Sequence, residues 1–468
     1  MRPTTSLLGN TLVHGIASGG TVVLLFVLHI IAARFMGAED YGRFSFAMAF
    51  AMLFAPILGP GFYQLLIREI ARDKGSTSKY VSHALSWKLA AAPVAFLLIY
   101  LSVNVIHDTP RTLQTVYLMA IATILHSFKN TFTPALLAHE RFGLNGISLI
   151  FERIALLVFS GIVLLSGGGL IGVCWTFIAV RTIDLAIISA LVWHKIVHFR
   201  VGRNVQFTKQ LLLAAIPIGA FQITLGFYNY VDTVMISGLR NPAEVGWYGA
   251  AYKLYEGLMI LPVIIGTVVM PRISRLHVED RDAFARLSRS GLQYVFLVAL
   301  ATASNGIIFA DKMIIFFFGS DFASSIVAIE ILFVGIVFAF TINFLQTLLI
   351  SADRQNLVFH VAVAGLIMNV LLNAVLIPSF GYIGAAVATV LIEGIVFMIL
   401  ARQFLSQLTA DRSGPFVGLA LLAAIGLGAL AWVDIPPGKV YLVAGAANIV
   451  LLLVFYFASG RRDIRLFV

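Results

Sequence analysis

The chain has 468 residues, 60% of them hydrophobic and only 12% charged, with a mean hydropathy of +0.96. A water-soluble globule cannot hide that much apolar surface, so the composition demands a bilayer as solvent and leaves no room for a sizeable soluble domain. The net charge of +10 has no compact basic domain to direct it to nucleic acid, and the single cysteine, Cys174, excludes disulfides and cysteine-based metal sites.

In chain order, apolar segments are read at 11–33, 44–66, 81–103, 113–137, 144–166, 169–193, 211–236, 246–270, 291–310, 325–350, 357–377, 382–401, 415–433 and 439–459. The runs are long and lack strict alternation, which makes them helices rather than barrel strands. The expected fold is an all-α integral membrane protein with about 14 transmembrane helices. The first run is too long for a removable signal peptide and has no small-residue cleavage site, so it is expected to remain as span 1. Span 2 is interrupted by Pro56, Gly59, Pro60 and Gly61. Such residues kink membrane helices, either as a fixed bend or as one that changes while the protein works.

Lys and Arg counts set the expected orientation. With both termini in the cytoplasm, 21 fall on inside segments, 6 on outside segments and the remaining 5 of 32 within spans. That asymmetry follows the positive-inside rule and accounts for the net charge.

An internal repeat is visible. GAEDYGRFSFA (37–47) matches NPAEVGWYGAA (241–251), with Gly42 on Gly246, Phe44 on Tyr248 and Ala47 on Ala251, all offset by 204. Arg68 and Arg272 pair at the same offset, AHER (138–141) resembles SADR (351–354), and GLIG (169–172) resembles GYIG (381–384) at an offset of 212. The expected organisation is therefore two pseudo-symmetric six-helix bundles, 1–200 and 201–410, plus two extra helices in 411–468. Parallel repeats of this kind hold a substrate site between them.

Charges inside a membrane are costly and mark functional candidates. Lys88, Lys129, Glu152 and Arg153 each lie about 7–9 residues from the cytoplasmic edge of their spans, so three cations and one carboxylate share a level. They face water or an anionic ligand, or else form ion pairs and snorkel to the headgroups, as Lys88 beside Trp87 is placed to do. Asp232 and Lys253 sit at equal depth on consecutive helices and are placed to form a salt bridge, with Glu256 on the same face as Lys253 as a competitor. Arg181 and Glu393 are equivalent at an offset of 212. They are placed either to face one cavity, or for Arg181 to pair with Asp184 and Glu393 to stay neutral by burial. No Walker A sequence, cofactor motif or metal-spaced His/Glu cluster occurs, so no catalytic or metal residue is assigned. Glu39 and Asp40 form an acidic pair of the kind seen in membrane glycosyltransferases, but on an outer loop too short to hold an acceptor.

Taken together, ARFMGAEDYGRFSFA (33–47), the hairpin 232–275, FFFGSDF (316–322) and the run 351–394 resemble the bacterial oligosaccharide-repeat (O-antigen type) flippases of the multidrug/oligosaccharidyl-lipid/polysaccharide exporter superfamily. The resemblance implies a non-enzymatic carrier in the bacterial cytoplasmic membrane. Such a carrier moves an undecaprenyl-pyrophosphate-linked oligosaccharide to the outer leaflet, with membrane lipid and other polysaccharide-assembly proteins as partners. On that reading Lys88, Lys129, Arg153, Arg181 and Lys253 are substrate-binding candidates, because a pyrophosphate wants cations in a low-dielectric cavity. With no ATP site, Glu152, Asp184, Asp232, Glu256 and Glu393 are candidates for coupling to an ion gradient. The alternatives are a drug/cation antiporter of the same superfamily, and an integral-membrane glycosyltransferase or polysaccharide polymerase.

Overall fold

The computed structural model describes residues 7–405, with side chains from 19 to 404, and every element in that range is helical. The helices are α1 (Leu7–Phe54), α2 (Phe62–Arg72), α3 (Thr77–Ile106), α4 (Pro110–Ala138), α5 (Phe142–Leu165), α6 (Gly169–Lys195), α7 (Val205–Leu239), α8 (Pro242–Leu258), α9 (Ile260–Glu279), α10 (Arg281–Ile308), α11 (Ala310–Phe318), α12 (Ser325–Ser351) and α13 (Gln355–Leu405). Each of the first twelve predicted spans falls on helix, and α1 and α13 each carry two spans across a kink, at Gly37 and Gly381. Spans 13 and 14, and the extra domain they define, lie outside the described residues. Nine segments among the described residues are long and apolar enough to cross a membrane. α4 is not among them, and it carries Arg111, His126, Lys129 and Asn130.

The described residues group into two compact units, Met1–Gly246 and Trp247 onward. In the first, α1 lies along α5 and α4, α4 lies along α6, and α7 joins α1, α2 and α3. In the second, α12 is central, packed on α13, α10 and α9. Helix α5 shows why these helices suit a bilayer. Its exposed positions Ile147, Ile150, Ile154, Val158 and Ile162 recur every three or four residues and are all apolar, while its buried positions include Asn145, Ser148 and Glu152. Aliphatic surface is stable against lipid, and polar groups are stable only where other helices satisfy them.

Two expected connections are built differently. The first outer loop is mostly helix: after Gly37 turns at φ 71°, residues 38–54 continue α1, with Glu39 and Asp40 in the new first turn, where carboxylates favour a helix N-terminus. Asp40 binds Arg43 (2.8 Å) and Arg111, and Glu39 binds Arg43. The repeat partner of that turn opens α8, with Glu244 in its first turn. The matched glycines lie against each other's segments: a Cβ on Gly42 would overlap the Pro242 carbonyl, and one on Gly246 would overlap the Ala38 carbonyl. Under the offset of 204 these two contacts are the same contact seen from each side. The expected break in span 2 is present as a 3-10 turn, Ala55–Leu58, followed by Gly59 at φ 149° and Gly61 at φ 70°. By contrast, predicted span 8 divides at Met259 into α8 and α9.

A cationic cavity as candidate functional site

In the first unit, the interruption at the end of α1 leaves a gap beside α3, α4, α5 and α7. The gap is a cavity of about 530 Å³. Its wall on one side is the broken backbone of Pro56, Gly59, Pro60 and Gly61, and on the other the polar faces of α4 and α5. Lys88, Lys129, Arg153 and His126 line it together with the amides of Gln64, Asn130, Asn145 and Gln222, and no Asp or Glu belongs to the lining. Buried Lys88 donates to the Ser127 carbonyl, and neither it nor Arg153 has an ion pair among the described residues. The broken helix end is tolerated here because its freed backbone groups face a polar cavity rather than lipid.

Behind this wall lies a buried charge network. Lys129 Nζ donates to Glu152 Oε2 at 2.7 Å and lies 2.5 Å from Asp184 Oδ2. Ser148 Oγ donates to Asp184 Oδ1 at 2.7 Å. Arg181 Nε lies 3.7 Å from Glu152 Oε1, with its guanidinium carbon 5.3 Å from the Phe177 ring centroid, and His126 Nδ1 lies 3.5 Å from the same carboxylate oxygen. Glu152 and Asp184 are fully buried. With His126 neutral, four cations (Lys88, Lys129, Arg153 and Arg181) stand against these two carboxylates, and the surplus sits on Lys88 and Arg153. Such a surplus in a low-dielectric wall attracts anions of matching charge.

The cluster read from depth alone is therefore brought together, with Arg181 and Asp184 as its outer members. The local pairing of those two gives way to cross-helix partners, because Arg181 reaches α5 and Asp184 reaches both α4 and α5. The remaining candidates lie elsewhere. Lys253 pairs with Glu256, three residues along its own helix, at 2.6 Å. Asp232 is buried on α7. Glu393 is buried in the second unit, accepts from the Tyr255 hydroxyl and presses on Gly335, where a Cβ would lie 2.6 Å from its Oε2. Sequence reasoning passed over His126, the four lining amides and the half-buried Glu330 of α12. The helical spacing of His126 and Asn130 from Lys129 and Thr133 was the available signal for the α4 face.

The family model described as "Polysaccharide biosynthesis protein" matches residues 7–277, and the model MatE matches residues 217–375. The capsular polysaccharide biosynthesis protein CapF of Staphylococcus aureus is 22% identical over 392 residues, covering 82% of this chain and 95% of CapF. The lipid II flippase MurJ of Burkholderia cenocepacia is 24% identical over 271 residues, covering 53% of this chain and 52% of that protein. Among solved structures, a lipid II flippase MurJ in an inward closed conformation has a TM-score of 0.74 at 16% identity, covering 95% of this chain and 98% of the other. An inward-facing multidrug resistance MATE transporter has a TM-score of 0.67 at 12% identity, covering 87% and 96%.

Proposed function

Because the chain belongs to the polysaccharide biosynthesis protein family, we propose that it is a flippase that moves a diphosphate-linked, lipid-anchored oligosaccharide from the cytoplasmic to the outer leaflet of the bacterial inner membrane. The relatives named as flippases support the class of activity, and the observation that carries it to this chain is the cavity lined by cations and by no carboxylate. A diphosphate diester carries two negative charges. The surplus on Lys88 and Arg153 balances them, while the amides of Asn130, Asn145 and Gln222 suit sugar hydroxyls. Alternating access of the two sequence repeats, with both termini in the cytoplasm, is the motion that goes with this reading. Membrane lipid and polysaccharide-assembly proteins remain its proposed partners.

The MatE match and the MATE neighbour favour a drug/cation antiporter as the second reading. A wall of lysine and arginine repels cationic drugs, which weighs against it. Removing Arg153 deletes a charge-assisted contact worth roughly 1.5–3 kcal/mol, or about 10- to 150-fold in affinity. Cells that depend on an Arg153→Ala variant are expected to accumulate the lipid-linked oligosaccharide in the inner leaflet and lose surface polysaccharide, at an unchanged level of inserted protein. Normal surface polysaccharide in cells carrying both Arg153→Ala and Lys88→Ala would sink the reading.

A further inference from the structure

We propose that Asp184, acting through Lys129, is an affinity-setting residue that holds the cavity's charge surplus at two, matched to a lipid-linked sugar joined by a diphosphate and low enough to let it go. This rests on the flippase reading above and assigns a task to groups that do not line the cavity.

Lys129 is the one ammonium that belongs both to the cavity wall and to the network behind it. Its charge is shared between two acids, Glu152 at 2.7 Å and Asp184 at 2.5 Å, so little of it is left for a ligand. Glu152 has further partners of its own, the Arg181 guanidinium at 3.7 Å and the neutral His126 ring at 3.5 Å, which makes it the balance for Arg181. Asp184 has Lys129 and the neutral hydroxyl of Ser148, which makes it the balance for Lys129. Were Asp184 uncharged, the wall would present three uncompensated cations instead of two. Buried charge is little screened by salt, so this difference is felt across the cavity.

The arrangement has a physical rationale. A carrier has to release what it binds, and a third free cation would hold a doubly charged anion past its release point. A single-phosphate diester leaves one cation of the matched pair buried and unanswered, which costs affinity. Among the described residues, the acids within ion-pair distance of Lys129 are Glu152 and Asp184. On α1, which packs against α4, α5 and α6, the acidic residues Glu39 and Asp40 are bound to Arg43 and Arg111. On α3, α4 and α5 the charged groups that line the cavity, Lys88, Lys129 and Arg153, are all cations, and His126 is the remaining titratable group.

The test uses the purified full chain in detergent and two synthetic probes, farnesyl diphosphoryl N-acetylglucosamine and farnesyl phosphoryl N-acetylglucosamine, at pH 7.5 by isothermal titration calorimetry. The wild type is expected to bind the diphosphate probe on the order of tenfold or more tighter than the monophosphate probe. Asp184→Asn is expected to tighten the diphosphate probe several-fold, a gain that structural damage does not produce. Lys129→Met weakens it, and the double variant Lys129→Met/Asp184→Asn, whose charge count returns to that of the wild type, recovers most of the loss. Equal binding of the two probes by the wild type overturns the inference, as does unchanged or weaker binding in a folded Asp184→Asn variant. Should Lys129→Met not fold, the Asp184→Asn arm decides alone. Failure of the wild type to bind either probe would instead overturn the flippase reading itself.

Discussion

At the residue scale, two kinds of cation share one cavity, and they differ in what their removal leaves behind. Lys129 is 2% exposed and neutralises two buried carboxylates, so Lys129→Met strands negative charge in a dry interior. Breaking a buried pair in this way costs about 3–5 kcal/mol. Arg153 has no ion pair among the described residues, and Arg153→Met is expected to change stability by less than about 1 kcal/mol. Thermal unfolding in detergent checks the contrast: equal melting temperatures for the two variants would contradict the network as described. The level shared by Lys88, Lys129, Glu152 and Arg153 was legible in the sequence because depth follows from counting residues inward from a span edge. Their partners were not. Whether Arg181 meets Asp184 on its own helix or Glu152 on the next depends on side-chain direction and helix rotation, which spacing on one helix does not contain. His126 escaped because a neutral imidazole carries no formal charge to count.

At the element scale, the cavity exists because α1 stops early. Pro56 and Pro60 remove backbone donors, and Gly59 and Gly61 accept positive φ, so the chain turns at 55–61 instead of continuing as helix into the space the cations now line. Gly61 is constrained twice over. Its φ of 70° disfavours any side chain, and a Cβ would lie 2.6 Å from both the Ala215 carbonyl oxygen and the Gly219 nitrogen of α7. The conformational penalty is about 1–2 kcal/mol, and overpacking adds roughly 1–3 kcal/mol. Gly61→Ala is accordingly expected to lower the melting temperature by several degrees. Gly143→Ala serves as the control, since a Cβ there meets nothing within 4 Å. Equal shifts for the two would show that the break does not depend on Gly61. The interruption in span 2 was readable from four clustered Pro and Gly residues, whereas the Met259 division between α8 and α9 has only Gly257 and Pro262 around it, spaced widely enough to pass for part of one continuous span. The helical start after Gly37 was read as loop because polar residues at a helix N-terminus look like a turn until their carboxylates are seen to serve Arg43 and Arg111.

At the scale of the whole molecule, hydropathy was enough to locate the helices because a bilayer leaves the backbone few alternatives. It does not say which end of each helix faces the cytoplasm. That rests on the 21-to-6 distribution of Lys and Arg, and it decides from which side a ligand reaches the cations of the cavity. The chain offers a clean means of testing it. Its single cysteine, Cys174, is buried on α6, so a thiol reagent should give little background with the unmodified protein. Arg203, exposed between α6 and α7, is assigned to the cytoplasm, and Asp108, exposed between α3 and α4, to the outside. In intact cells with a permeable outer barrier, a membrane-impermeant maleimide is expected to label Asp108→Cys. Arg203→Cys should react only after the cytoplasmic membrane is opened. The reverse pattern would invert the molecule and place its cations for an anion arriving from the other leaflet. Because the cavity charge does not depend on orientation, that result would leave anion binding intact and turn the direction of transport around.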